Sequence, residues 1–168
     1  MFYELVVTQP KKMLQNLSAI MDKGQKQAET KKFDMEVLLN SRLAPDQFNL
    51  TRQIQIACDT VKFGAARLAG KDAPAHEDKE KTLPDLKARI DSVIQYLDTF
   101  QRDDFDNAVS RRVTTPRWDG KYMLGEEYAL QHVVPNTYFH ITTAYSILRH
   151  NGVDVGKKDF LGELPYKK

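Results

Sequence analysis

The sequence predicts an all-α fold: a four-helix bundle with long crossover connections and a small β-hairpin before the last helix. Three observations carry that prediction. Apolar residues recur at helical spacing in four stretches, near residues 13–21, 50–68, 86–100 and 126–150. The intervals 31–48 and 103–125 are long enough to cross a bundle, which argues against a simple up-down-up-down order. At 168 residues and 41% hydrophobic content the chain can close one sizeable core, so 1–168 reads as a single domain.

The first helix is expected to begin near Thr8, whose hydroxyl can cap free amides, with Pro10 tolerated in its first turn. Met13, Leu14, Leu17, Ile20 and Met21 form its apolar stripe. The segment FDMEVLLNSRLAPD reads as a connector, with Asp34 as a cap and Val37, Leu38 and Leu43 as anchors. A second helix should run from Asn49 to Gly70, burying Leu50, Ile54, Cys58, Val61, Ala65 and Leu68. Beside that stripe Gln55, Asp59 and Lys62 share a polar face, either solvent-facing or a pocket wall. KDAPAHEDKEK is a charged loop; its His76 lies beside acids, but charge runs of this kind are usually solvated rather than metal-binding.

Thr82 and Asp85 resemble a capping box, although Glu or Gln is preferred at the second position. The third helix follows, with Leu86, Ile90, Val93, Ile94, Leu97 and Phe100 facing the core. VSRRVTT and KYML flank Asp119-Gly120, a pair that favours a tight hairpin turn. Helical periodicity returns from Glu126 to His150, interrupted by Pro135 and stopped by Asn151-Gly152. The tail should pack as irregular chain through Phe160 and Leu161.

Charge excludes some partners. The 25 Lys plus Arg and 23 Asp plus Glu nearly cancel, leaving no positive field that argues for nucleic acid or an anionic membrane. No run of 18 apolar residues occurs, and MFYELVVTQPKK lacks a basic leader followed by an apolar stretch. Neither a membrane span nor a signal peptide is expected. The one cysteine, Cys58, rules out an internal disulfide and any multi-cysteine metal site, and a reducing, cytoplasmic location is expected.

HVVPNTYFHITTAYSILRHNG, residues 132–152, resembles the last helix of the DinB/YfiT-like superfamily, helical bundles many of which are classed as metalloenzymes. That signature has the form H-L-V-N-H-x-x-H-H-R-G-Q followed by L-R-x-x-G. With Arg149 and Gly152 in register, His140 falls on the last ligand histidine of the resemblance. Asn136 falls where its i−4 histidine partner would stand, and His132 matches a frequent non-ligand histidine. The third ligand of such proteins precedes an L-x-G at the end of the second helix. Counting back from Leu68-Ala69-Gly70 places that position near Gln55, with Asp59 one turn later. RLAPDQFNLTRQIQIACD, FGAARLAG, PNTYFHITTAYSILRHNG and DFLG resemble, in order, a member family of unknown function within that superfamily. The resemblance covers most of the chain, and implies the bundle and a homodimer, since many relatives pair.

The departures from the parent signature matter more. A transition metal wants three nitrogen, sulfur or carboxylate ligands and an open position. Here Asn136 and Gln55 offer only neutral carbonyl oxygens, so no metal cofactor is expected. The alternative is a weakly held divalent ion such as nickel or zinc on His140 and Asp59. Three readings of Gln55, Asp59, Asn136 and His140 follow: a buried hydrogen-bonded network, a small-molecule pocket, or residual metal chemistry. If Pro135 starts a new helix, free amides beside Asn136 would favour an anionic ligand.

His140 oriented by Asp59 could also act as a general base. No nucleophile pairs with it: Cys58 points into the apolar stripe, and Thr142 and Thr143 more plausibly bond helix carbonyls. Tyr138, Phe139 and Tyr145 follow helix spacing and suit core or dimer interface, while Trp118 is placed to cover a pocket mouth. Two functions therefore remain. One is a dimeric bundle whose degenerate metal site has become a polar or ligand-binding pocket; the other is a divergent metal-dependent hydrolase or transferase.

Overall fold

Each apolar stripe becomes a helix with an identifiable start and stop. The computed structural model describes residues 1–167. Helix α1 spans Gln9–Lys31, buries Met13, Leu14, Leu17, Ile20 and Met21, and ends at Lys32 in the left-handed region. Helix α2, Met35–Asn40, is capped by Asp34, whose carboxylate accepts from the Glu36 N–H at 2.9 Å. Helix α3, Leu50–Ala69, opens on Asn49, which accepts from the Arg52 N–H at 3.0 Å, and closes on Gly70 at φ 70°. Helix α4 is Leu83–Leu97. Thr82 Oγ1 accepts from Asp85 N–H at 3.3 Å while Asp85 accepts from Thr82 N–H at 3.0 Å, so aspartate completes this capping box.

Strands β1, Arg112–Val113, and β2, Met123–Leu124, pair antiparallel with Arg112 opposite Leu124. Asp119 and Gly120 take positive φ, as the turn requires. They do not join the strands directly: residues 114–122 form a longer connection with a 3₁₀ turn at Pro116–Trp118, because Pro116 has no N–H to extend the ladder. Helices α5, Gly125–Tyr128, and α6, Val134–His150, follow, and α7, Lys157–Leu161, orders the tail with Phe160 edge-on to Tyr145 at 5.8 Å.

Two expectations about helix starts are corrected by a shared device. Thr8 is no cap: its backbone is helical and its side chain makes no cap bond. A π-turn, Glu4–Thr8, leads into α1, drawn inward by buried Val6 and Val7. A second π-turn, Ala129–Val133, joins α5 to α6. The Gln9 N–H bonds Glu4 O and the Val134 N–H bonds Ala129 O, both i→i−5. Each widened turn contains the residue four before a proline, Val6 for Pro10 and Gln131 for Pro135, whose carbonyl the ring would strike in a regular helix. Pro135 therefore does not restart the chain: the helical run continues from Gly125 to His150 through the π-turn. Asn136 has no free helix end before it, and the helix-end argument for an anionic ligand loses its basis.

Val37 and Leu43 are also corrected: they are 57% and 45% exposed, and Met35, Leu38 and Leu39 anchor the connector instead. The spacing explains it, since 35, 38 and 39 share one helix face and 37 lies off it.

α3 packs chiefly on α6 and then α4, while α1 packs on α4 and α6. α1 and α3 are thus diagonal in the bundle, as are α4 and α6. Both diagonals are spanned by the two long connections, which is why they must be long. Among the described residues no helix is long and apolar enough to cross a membrane.

Candidate functional site

α3 meets α6 along Gln53, Ala57, Thr60 and Gly64, positions four, three and four apart and so on one face. Gly64 is required there: a Cβ would stand 2.6 Å from Val133 Cγ1. That close approach seats α6 against α3 and brings two polar pairs into an otherwise apolar seam. The Asn136 amide donates to Thr60 Oγ1 at 2.8 Å. His140 Nδ1 lies 2.7 Å from Gln53 Oε1, and the Gln53 amide donates in turn to the Phe48 carbonyl at 3.1 Å. Gln53 and His140 are 1% and 8% exposed. Burial, helped by the charge of Arg52, pushes the His140 imidazole down to about 4, so it is neutral at pH 7. Thr137 Oγ1 is buried in α6 without a hydrogen-bond partner, while Thr143 donates to Phe139 O at 2.7 Å.

Gln55 and Asp59 turn the other way, towards α4 and the loop of residues 71–82. Arg89, its side chain 1% exposed, lies 2.8 Å from Asp59, 2.7 Å from Asp78 and 2.9 Å from Glu80. Gln55 accepts from Arg52 at 3.1 Å and donates to Glu80 at 2.9 Å. Lys62, equally buried, contacts Asp59 Oδ1 at 2.9 Å and His76 Nδ1 at 2.8 Å. Asp59 Oδ1 is close to both cations yet has directed hydrogen-bond geometry with neither, which makes its contacts charge contacts. Burial opposes the charge on Arg89, but the surrounding carboxylates outweigh it and hold the guanidinium protonated. Burial and then Lys62 and Arg89 hold His76 below its ordinary range. The charged loop is thus docked through His76, Asp78 and Glu80.

The four sequence-derived residues therefore fall into two groups on different sides of α3. His140 and Asn136 meet Gln53 and Thr60; Gln55 and Asp59 meet Arg89, Arg52 and the loop. His140 bonds Gln53 where Gln55, Asn136 or Asp59 had been expected, because residues two apart on a helix point about 200° apart. Lys62 lies beside Gln55 and Asp59 on the polar face that the sequence marks, whereas Gln53, Thr60 and Arg89 are additional. Their signal was present: Gln53 and Thr60 stand seven apart, two polar residues recurring on a face that would otherwise be apolar.

His132 stacks on Tyr128 with ring centroids 5.2 Å apart, and Trp118 stands edge-on to both rings. Arg67 donates to the Tyr128 hydroxyl at 3.0 Å. Cys58 is buried in the core, its thiol pushed up to about 12 by burial. Two surface depressions, of about 390 and 270 Å³, are lined by hairpin residues including Trp118 and Tyr122, and by residues including Glu36, Asn49 and Glu80. Neither includes His140 or Asn136.

The donor set does not suit a bound transition metal. His140 meets the Gln53 amide oxygen, and Asp59 is held by Arg89 and Lys62. Among the described residues no three His, Cys, Asp or Glu side chains converge as metal ligands.

Diagonal crossings, the hairpin before the last long helix and a histidine in that helix define a bundle of the DinB type. The chain belongs to the family known as Domain of unknown function (DUF1993), whose model matches residues 2–161. It is similar to the crystal structure of a DinB family member protein from Shewanella denitrificans, at 60% identity and a TM-score of 0.98, covering 100% of this chain and 96% of that one. No curated protein matches it.

Proposed function

We propose that this chain is a cytoplasmic, homodimeric helical bundle in which the metal seat of the parent superfamily has become a polar, ligand-binding pocket at Asn136 and His140, backed by Thr60 and Gln53. Small-molecule binding is centred on the seam between α3 and α6. The observation that carries the reading is the 2.7 Å contact between His140 Nδ1 and Gln53 Oε1. An imidazole so held, with an amide opposite and asparagine one turn away, is a hydrogen-bonding group in place of a metal ligand. Gln55 and Asp59 stand apart from this pocket on another side of α3, where Arg89 and Lys62 neutralise the carboxylate. Metal-dependent chemistry would require Asp59 to leave two buried cations, and nothing in the geometry favours that second reading.

Two surface features support association. Phe48 ahead of α3 and Leu130 ahead of α6 are 57% and 54% exposed, large apolar groups that a second copy would cover. The buried, unpaired Cys58 fits a reducing compartment. Elemental analysis of tag-free protein, before and after addition of nickel or zinc, tests the reading. No stoichiometric uptake is expected; one ion per chain that is lost on His140→Ala would refute it.

A further inference from the structure

The hydrogen-bond chain behind His140 has a direction. The Gln53 side-chain N–H₂ donates to the Phe48 carbonyl at 3.1 Å, which leaves only the Gln53 oxygen to face the imidazole. A carbonyl oxygen accepts and cannot donate, so the His140 nitrogen 2.7 Å away must carry the proton. A neutral imidazole has one N–H. With that proton on Nδ1, Nε2 is a bare lone pair. Nε2 has no hydrogen-bond partner among the described residues, and it is absent from the fully buried unpartnered atoms, so the residual exposure of His140 reaches it. The Phe139 ring, 56% exposed, stands edge-on to the imidazole with ring centroids 5.1 Å apart.

The geometry points to Gln53 as a positioning residue that fixes His140 in the Nδ1–H tautomer, so that Nε2 accepts a hydrogen bond from a neutral O–H or N–H ligand, with Phe139 favouring an aromatic alcohol. This deepens the reading of the seam as a ligand site and rests on it. The acceptor-only character sets the specificity. An ionised carboxylate or phosphate brings lone pairs against a lone pair and is rejected, whereas a phenol brings both a proton and a ring. Arg52, the cation nearest in effect, is already engaged by Asp78 at 2.5 Å and by Gln55 at 3.1 Å, so it does not supply an anion site.

The test is a titration followed in long-range ¹H–¹⁵N spectra of histidine-labelled full-length protein at pH 7.5. Before ligand, His140 should show a protonated Nδ1 and a bare Nε2. Phenol should move the Nε2 resonance saturably upfield; anisole, the same ring without the proton, and benzoate, an acceptor, should not. Gln53→Glu retains the accepting oxygen and should keep the tautomer and the phenol response. Gln53→Leu removes the acceptor and should weaken phenol binding about tenfold. Circular dichroism checks the fold of both variants; should the leucine variant fail to fold, the wild-type titrations and Gln53→Glu still decide. A protonated Nε2, no phenol response, or benzoate and anisole binding as well as phenol would overturn the inference. Those results leave the ligand-site reading standing, while stoichiometric metal lost on His140→Ala defeats that reading itself.

Discussion

His140 shows how one buried side chain ties stability to pH. Its imidazole lies at about 4 in the fold against 6.5 ordinarily, through burial and then the charge of Arg52. A depressed histidine leaves the folded state unprotonated while the unfolded chain takes up the proton. The stability is therefore complete above 6.5 and is lost as pH falls towards 4, by on the order of 2 to 3 kcal/mol. Urea unfolding at pH 7.5 and 4.5 should show that loss, and His140→Asn should reduce it. The presence of this histidine on an inward face was legible from its helical register. Its partner was not, because counting back from a helix stop fixes a level along α3 but not the face, and Gln53 and Gln55 differ by most of a half-turn.

At the scale of elements, the 71–82 loop is held by charge and α6 by shape. Arg89→Met leaves Asp59, Asp78 and Glu80 facing one another around a buried site, and should cost about 3 to 5 kcal/mol in denaturant melts. His76 accepts from Lys62, so its protonation both removes that bond and sets two cations together. Its depressed imidazole means that docking holds above the ordinary histidine range and weakens as pH falls below it. Hydrogen exchange in residues 71–82 should quicken with acid in the wild type and vary less in His76→Gln. Gly64→Ala forces a methyl to within 2.6 Å of Val133 and should destabilise by about 1 to 3 kcal/mol, read as a lower melting temperature. Helix boundaries at Asn49, Gly70 and Thr82 were legible because caps are local chemistry. Docking of the charged loop was not, since its partners Lys62 and Arg89 lie outside it and a charge run alone reads as solvated.

At the scale of the whole molecule, two long connections predicted two crossings, and the diagonal placement of α1 with α3 and of α4 with α6 supplies them. That much followed from lengths and periodicity. The π-turns did not, because a proline within a helical pattern specifies that the backbone must adjust without saying how. Sedimentation equilibrium should find a dimer, and substitution of Phe48 by Ser should weaken it. The central claim is that His140 serves a hydrogen-bonded, metal-free site, and metal content per chain tests it most directly. Tag-free protein exposed to nickel or zinc and then desalted should retain less than a stoichiometric amount, unchanged in His140→Ala. One ion retained per wild-type chain and none in His140→Ala would contradict the account.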